Sequence, residues 1–223
     1  MTRKLWLGSI WLILVIYAIA SSFFKTQQGD LDLIIDLSTG EWSGINPIII
    51  AIFCIMGIFP LVYAAFILFD CGEKNLSPYP FFIVSFGVGA FALLPYLALR
   101  QSNTDWNGEK NWLLKILDSR LMAIVSSTAI AVFLIWGLTQ GNWSDYVAQW
   151  QTSQFIHVMS IDFALLCFLF PFILGDDMKR RGVDADKYFW LVTSIPLFGS
   201  LAYWCLRPQL PETAISASST VNQ

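Results

Sequence analysis

The sequence predicts an all-α, polytopic membrane bundle of about six transmembrane helices, and three observations carry that prediction. Of the 223 residues 56% are hydrophobic and only 13% charged, whereas soluble domains hold about 45–50% and about 25%. Six stretches of roughly 20 residues carry almost no ionisable side chain. That is the length a helix rising about 1.5 Å per residue needs to cross a hydrocarbon core about 30 Å thick. Ten tryptophans suit a protein that seats amphipathic rings at two membrane interfaces.

In chain order, the first stretch is Leu5 to Phe24. Met1 to Lys4 and the Ala18-Ile19-Ala20 run before Ser21 imitate a cleavable signal, but apolar character continues through Phe23 and Phe24 and further spans follow, so an uncleaved helix is expected. Asp30 to Ile45 is too polar to cross and reads as an amphipathic surface segment. Pro47 to Phe69 and Tyr79 to Leu99 are the second and third spans. Leu113 to Arg120 makes the entry turn of the fourth, Leu121 to Thr139, with Lys115, Asp118 and Arg120 facing water or headgroups. Gly141 to Gln154 is a second surface segment. Phe155 to Leu174 is the fifth span, interrupted by His157 and Asp162, and Tyr188 to Leu206 is the sixth. Residues 208 to 223, rich in Pro, Ser and Thr, read as a disordered tail.

The two halves share punctuation. Thr39, Gly40, Trp42 and Ser43 find counterparts in Thr139, Gly141, Trp143 and Ser144. Phe66-Ile67-Leu68 then Asp70 matches Phe172-Ile173-Leu174 then Asp176, and Tyr96, Leu99, Arg100 matches Tyr203, Leu206, Arg207. The chain therefore divides into a three-helix unit at 1–112, a second at 113–207, and the tail, with Trp42, Trp143, Asp70, Asp176, Arg100 and Arg207 as repeat-equivalent interfacial residues. An odd number of spans per unit makes the repeat inverted. Counting Lys and Arg over the loops then gives nine on one side and four on the other, which places both termini outside. Arg3 and Lys4 argue the reverse.

Several function classes drop out. With net charge −3 and no basic run longer than Lys179-Arg180-Arg181, nothing resembles a nucleic-acid footprint. Cys54, Cys71, Cys167 and Cys205 form no C-x-x-C pair and read as small buried hydrophobes rather than a zinc site or disulfide framework. A single histidine excludes bis-histidine haem, di-iron histidine boxes and H-E-x-x-H zinc sites. No Gly-x-Ser-x-Gly elbow is present. No catalytic set, metal site or cofactor is assigned.

Asp162 is the most informative residue, because a carboxylate within a span costs about 2.5–3.5 kcal/mol and usually faces a bundle interior or a cavity. It reads either as a hydrogen-bonded link between helices or as a proton, ion or ligand site. His157, five residues earlier, does not share its face, whereas Ser160 lies near the histidine's side. These three are the candidate intramembrane polar site. Asp30, Asp32 and Asp36, and Asp176 with Asp177, are the acidic clusters that could hold Mg²⁺ against a diphosphate; solvated loop charge is the plainer account. Pro60, Pro95, Pro171 and Pro196 can kink their helices, and Ser85, Gly87 and Gly89 offer a close-packing face or a cavity beside broken helices.

At Asn46-Pro47, at Leu94-Pro95-Tyr96-Leu97-Ala98-Leu99-Arg100, and from His157-Val158-Met159-Ser160-Ile161-Asp162-Phe163 to Gly175-Asp176-Asp177-Met178-Lys179-Arg180-Arg181-Gly182, the chain resembles an uncharacterised polytopic membrane family of cyanobacteria and plastids. Its second half resembles a small three-span bacterial domain of unknown function. The resemblance implies a setting, the thylakoid or plasma membrane of a phototroph, and no activity. The expected partners are the lipid bilayer and a membrane-protein complex, with no nucleic acid and an unidentified small-molecule ligand. Three functions stand open: binding or transport of a small solute or lipophile; a non-enzymatic accessory or assembly factor for membrane complexes; and, resting only on the acidic clusters, a lipid- or isoprenoid-modifying enzyme.

Overall fold

The computed structural model describes residues 2–25, 29–70, 76–106 and 108–212; Cys71 and residues 213–223 of the expected tail fall outside them. Among the described residues the elements are helical. In order they are α1 (Thr2–Ser21), α2 (Asp30–Thr39), α3 (Pro47–Ile67) closing in a 3-10 turn at Leu68–Asp70, α4 (Tyr79–Val88), α5 (Ala90–Leu99), α6 (Trp112–Leu117), α7 (Arg120–Gln140), α8 (Trp143–Thr152), α9 (Gln154–Phe168), α10 (Pro171–Arg180), α11 (Ala185–Thr193) and α12 (Phe198–Leu206). Among the described residues four helices are long and apolar enough to cross a membrane: Arg3–Ser21, Pro47–Asp70, Arg120–Gln140 and Gln154–Arg180, the last being α9 continued by α10.

Local chemistry sets the starts. The Asn46 side chain accepts from Ile48 N with Pro47 in the first turn, and Ser119 and Ser153 cap α7 and α9 in the same way. Each cap satisfies one of the amides a helix start leaves unpaired. The short helices α2 and α8 lie across the ends of the long ones and strap them. Asp30 of α2 accepts from Ser153 Oγ at 2.8 Å and Phe155 N at 2.9 Å at the start of α9. Reciprocally, Asn46 at the start of α3 donates to Asn142 O and to Asp145 Oδ2 of α8, both at 2.7 Å.

The core is built on α3 and α9–α10, which run side by side in the same direction. Phe53 meets Phe155, Phe59 meets Phe163 and Phe66 meets Phe170, with centroids 5.8–6.5 Å apart, and Tyr63 donates to the Leu166 carbonyl at 2.5 Å. This gives the bundle an Asn46 end and an Asp70 end. α1 rises from the Asp70 end, where Arg3 donates to the Arg100 carbonyl, past Trp11 bonded to Phe91 O at 2.9 Å, to Lys25, which reaches the Trp150 and Gln151 carbonyls at the other end. α7 rises likewise, from Leu117, whose carbonyl accepts from Trp204 Nε1, to Gly137 and Gly141 against Pro47, Ile48 and Ala51.

Two expectations are corrected here. The uncharged stretches taken as the third and sixth spans are helical hairpins that turn back halfway. α4 and α5 have 10 residues each, about 15 Å apiece. They fold at Gly89, with Phe81 near the start of one against Tyr96 near the end of the other. α11 and α12, of 9 residues each, fold at Ser194–Leu197, where Leu197 takes φ 67° and the turn lies against Cys167 and Phe170 midway along α9–α10. Hydropathy reads apolar content and not direction, so 20 residues folded in half pass for a span. Each half thus contributes two long helices and one hairpin, and the halves run in the same direction instead of opposed ones. The larger apolar cluster draws on both halves, and so does the smaller one around Leu37, Ile49, Ile50, Ile156 and Met159.

The start of the tail is also corrected. Leu210 is buried, with its amide on Asp118 Oδ2 at 3.0 Å; Pro208 O accepts from Arg181 at 2.6 Å and Pro211 O from Trp106 at 3.1 Å. In a bilayer, the hairpin geometry places both bases of α4–α5 on one face. In a cysteine-free background, Ser77→Cys and Asp105→Cys will both react with an impermeant maleimide from the same side. Labelling from opposite sides would restore the straight third span.

Candidate functional site

Two polar constellations occupy the bundle. The first closes its Asp70 end. Asp70 Oδ2 accepts from Tyr96 at 3.2 Å and from Arg100 Nε at 2.6 Å, while Arg180 pairs with Oδ1 at 2.9 Å. Asp177 Oδ2 accepts from Tyr203 at 2.9 Å, Arg207 Nη1 at 3.0 Å and Arg181 Nε at 3.0 Å. Asp176 pairs with Arg100 and accepts from Ser102 at 2.6 Å. Asp118 pairs with Lys110 and Arg181, both at 2.6 Å. Arg207 also donates to Ala65 O at 2.8 Å and lies over the Phe66 ring.

The arrangement revises the repeat register. Asp70 stands 26 residues before its tyrosine and 30 before its arginine, and Asp177 stands 26 and 30 before Tyr203 and Arg207. Asp177, not Asp176, is therefore the equivalent of Asp70. Tyrosine and arginine four apart share a helix face, so α5 and α12 each close on the end of a long helix with the same two-point grip. Asp70, Arg100, Asp177 and Arg207 are buried at this end of the bundle, Asp177 being 0% exposed. Asp118, expected in water, is buried with them. The Trp42–Trp143 match is coincidental, since Trp42 follows α2 and packs on Phe133 and Trp136 of α7, whereas Trp143 opens α8 and is exposed.

The second constellation is an open cavity of about 630 Å³ bordered by α1, α2, α3, α9 and the tip of the α4–α5 hairpin. Phe53, Met56, Phe86, Phe91 and Phe155 supply much of its wall, with Asp162 at its floor. Asp162 is 3% exposed, and its Oδ1 accepts from Ala90 N at 2.9 Å, the first amide of α5. A helix begun inside a bundle has no water for its first amides, so a buried acceptor has to be supplied. Gly89 makes room: it takes φ 51°, and a Cβ there would run into the carboxylate.

His157, Ser160 and Asp162 do not form one site. His157 is held between α1 and α8, its Nε2 2.7 Å from the Tyr17 hydroxyl and its Nδ1 2.9 Å from Trp150 O. A carbonyl can only accept, so Nδ1 carries the proton and Nε2 accepts from the tyrosine. Ser160 accepts from Tyr146 at 2.8 Å and donates to Ile156 O. Both are seam contacts between helices. Sequence reasoning missed Gln154, which donates to Ala18 O at 2.9 Å while its buried Oε1 has no partner at the cavity wall. No spacing rule singles out such a residue.

The acidic clusters do not converge. Asp30, Asp32 and Asp36 sit on α2 at the Asn46 end, and Asp176 and Asp177 on α10 at the other, so they face no common substrate. Among the described residues no group of three His, Cys, Asp or Glu is placed to hold a metal ion. No family model, no curated protein and no solved structure matches the chain.

Two outcomes follow from this geometry. Asp177→Ala strands Arg181 and Arg207 in the interior and will cost about 3–5 kcal/mol, the usual penalty for breaking a buried ion pair. Asp176→Ala, at a partly exposed position, will cost less; denaturant titration in detergent micelles compares them, and equal losses would return Asp176 to the repeat. Gly89→Ala forces a strained backbone against Asp162 and will cost on the order of 1–3 kcal/mol, read from the same titration.

Proposed function

We propose that this chain is an integral membrane protein that binds a small, largely apolar solute in the cavity at the α4–α5 tip and carries it between the bilayer interior and the Asn46 side. The observation that carries this reading is the coincidence of the cavity with a broken helix. Irregular backbone inside a membrane is tolerated where it is buried in protein or lines a cavity, and transporters place their substrate sites beside discontinuous helices near mid-depth. A volume of about 630 Å³ lies within the roughly 300–1,000 Å³ of small-molecule sites, and the predominance of aromatic and aliphatic walls with few polar groups is the usual composition of such sites.

The topology we propose has four spans, α1, α3, α7 and α9–α10, and two re-entrant hairpins entering from the Asp70 side. The charge distribution supports an orientation opposite to the one expected from six spans. Of the twelve lysines and arginines among the described residues, eleven lie at the Asp70 end and only Lys25 at the other. Positive residues mark the cytoplasmic face, so the start of α1 and the end of α12 lie there and the cavity lies toward the opposite face. A phototroph's thylakoid or plasma membrane is the setting that the resemblance implies.

Photolabelling tests the binding site. A neutral alkyl-diazirine probe added to the purified full chain will label Phe53, Met56 and Phe155. Gly57 lines the cavity, and a Cβ added there meets open space, so Gly57→Phe projects a ring into the cavity and obstructs it. It will lower that labelling about tenfold while leaving labelling of α7 unchanged. Equal labelling of the wall in both proteins would sink the proposal.

A further inference from the structure

Asp162 is a carboxylate buried without a cation. Its one hydrogen bond comes from Ala90 N, and none of the ion pairs among the described residues includes it. Every other carboxylate buried to the same degree, Asp70, Asp118 and Asp177, has at least two basic partners. The dipole of α5 does not replace the missing charge. The C-terminus of α4 and the N-terminus of α5 meet at Gly89, and half-charges of opposite sign at one point largely cancel.

The rest of the cavity has the same polarity. Among the described residues no lysine or arginine lines it, whereas Asp30 does. Gln154 also lines it and adds no positive charge. Phe53, Phe86, Phe91 and Phe155 add ring faces, which attract positive charge through their quadrupoles. Outside the cavity, the Asn46 end carries Asp30, Asp32, Asp36, Glu41 and Asp145 against Lys25, a formal excess of four negative charges. A field of that sign concentrates cations at the opening.

We infer that the ligand of this cavity is a lipophilic organic cation, an apolar body carrying a positive charge that rests against the Asp162 carboxylate. The inference rests on the cavity being a binding site and adds the sign of the charge. A volume of about 630 Å³ is too large and too apolar to be built for a bare metal ion, which needs several oxygen ligands at 2–3 Å.

Tetraphenylphosphonium and tetraphenylborate, matched in size and shape and opposite in charge, isolate that sign. Binding to the full chain in detergent is measured by equilibrium dialysis as the increment over Gly57→Phe, which removes partition into the micelle. The phosphonium will bind at least tenfold more tightly than the borate. In Asp162→Asn, whose side-chain oxygen still accepts from Ala90 N, the two affinities will come within about twofold.

Equal Gly57→Phe-sensitive binding of both ions, or preference for the borate, overturns the inference and leaves the cavity as a site for neutral lipophiles. A phosphonium preference that survives in Asp162→Asn overturns the role given to that carboxylate. Displacement of the phosphonium by millimolar Na⁺, but not by tetraethylammonium at equal ionic strength, assigns the site to a metal ion and overturns the organic ligand. If neither ion shows an increment while the neutral diazirine still labels the wall, the charge inference falls alone. If the diazirine also fails, the binding site falls with it.

Discussion

A helix that begins in the interior of a bundle must find partners for amides that water cannot reach, and the rest of this structure is arranged around that constraint. Ala90 opens α5 at the tip of a hairpin, and its amide is satisfied by the one carboxylate that α9 carries into the core, Asp162. Leaving a buried donor unpaired costs about 1–3 kcal/mol, so the contact decides whether the stretch Tyr79 to Leu99 turns back or continues straight. Gly89 is the complementary condition, because φ 51° is open to glycine at little cost and because any side chain would displace the carboxylate. Asp162 therefore fixes the fold of the hairpin and floors the cavity at once.

The hairpins are held at their bases by a different device. Each returns to the Asp70 end on a tyrosine and an arginine that meet one buried aspartate on a long helix, Asp70 for α5 and Asp177 for α12. Arg180 joins the two grips, lying 2.9 Å from Asp70 and 3.6 Å from Asp177. Such pairs add little net stability over an apolar replacement, but each partner is costly to remove alone. Their value is geometric: charges that must be matched allow one register of hairpin against helix, where leucines would allow several.

Much of this was legible in the sequence, and what was not fails for identifiable reasons. Helix content, the two surface helices α2 and α8, and the importance of Asp162 follow from composition and from the cost of a carboxylate among apolar residues. The grip was visible as Tyr96-x-x-x-Arg100 and Tyr203-x-x-x-Arg207, but the adjacent pair Asp176-Asp177 hid its register until side chains chose between them. Hairpins were mistaken for spans because Gly89 and Pro196 are ambiguous: each could kink a continuous helix or end one. The choice depends on a partner 73 residues away for Gly89, which no local window contains. Asp118 and Gln154 were invisible as buried groups, since their burial comes from residues 208–212 and from α1.

The repeat is most informative where it fails. Counting back from the helix ends, Ala18 of α1 stands where Gly137 stands on α7, and Ser22 where Gly141 stands. A Cβ at either glycine would meet Ala51 or Ile48, so the absence of side chains lets α7 close directly on α3. At the matching seam between α1 and α9 the residues do carry Cβ atoms, the helices meet through Tyr17 and Gln154, and the cavity occupies the space beside them. Counting 15 residues back from Asp177 reaches Asp162, and the same count from Asp70 reaches Ile55, an apolar core residue. One seam is thus sealed with glycine and isoleucine, and its twin is held open with a lone carboxylate at the floor. Packing alone would favour sealing both, because an unfilled cavity sacrifices dispersion contacts on every face. The open seam retains the stability cost that the closed one has eliminated, and a bound solute is what would recover those contacts.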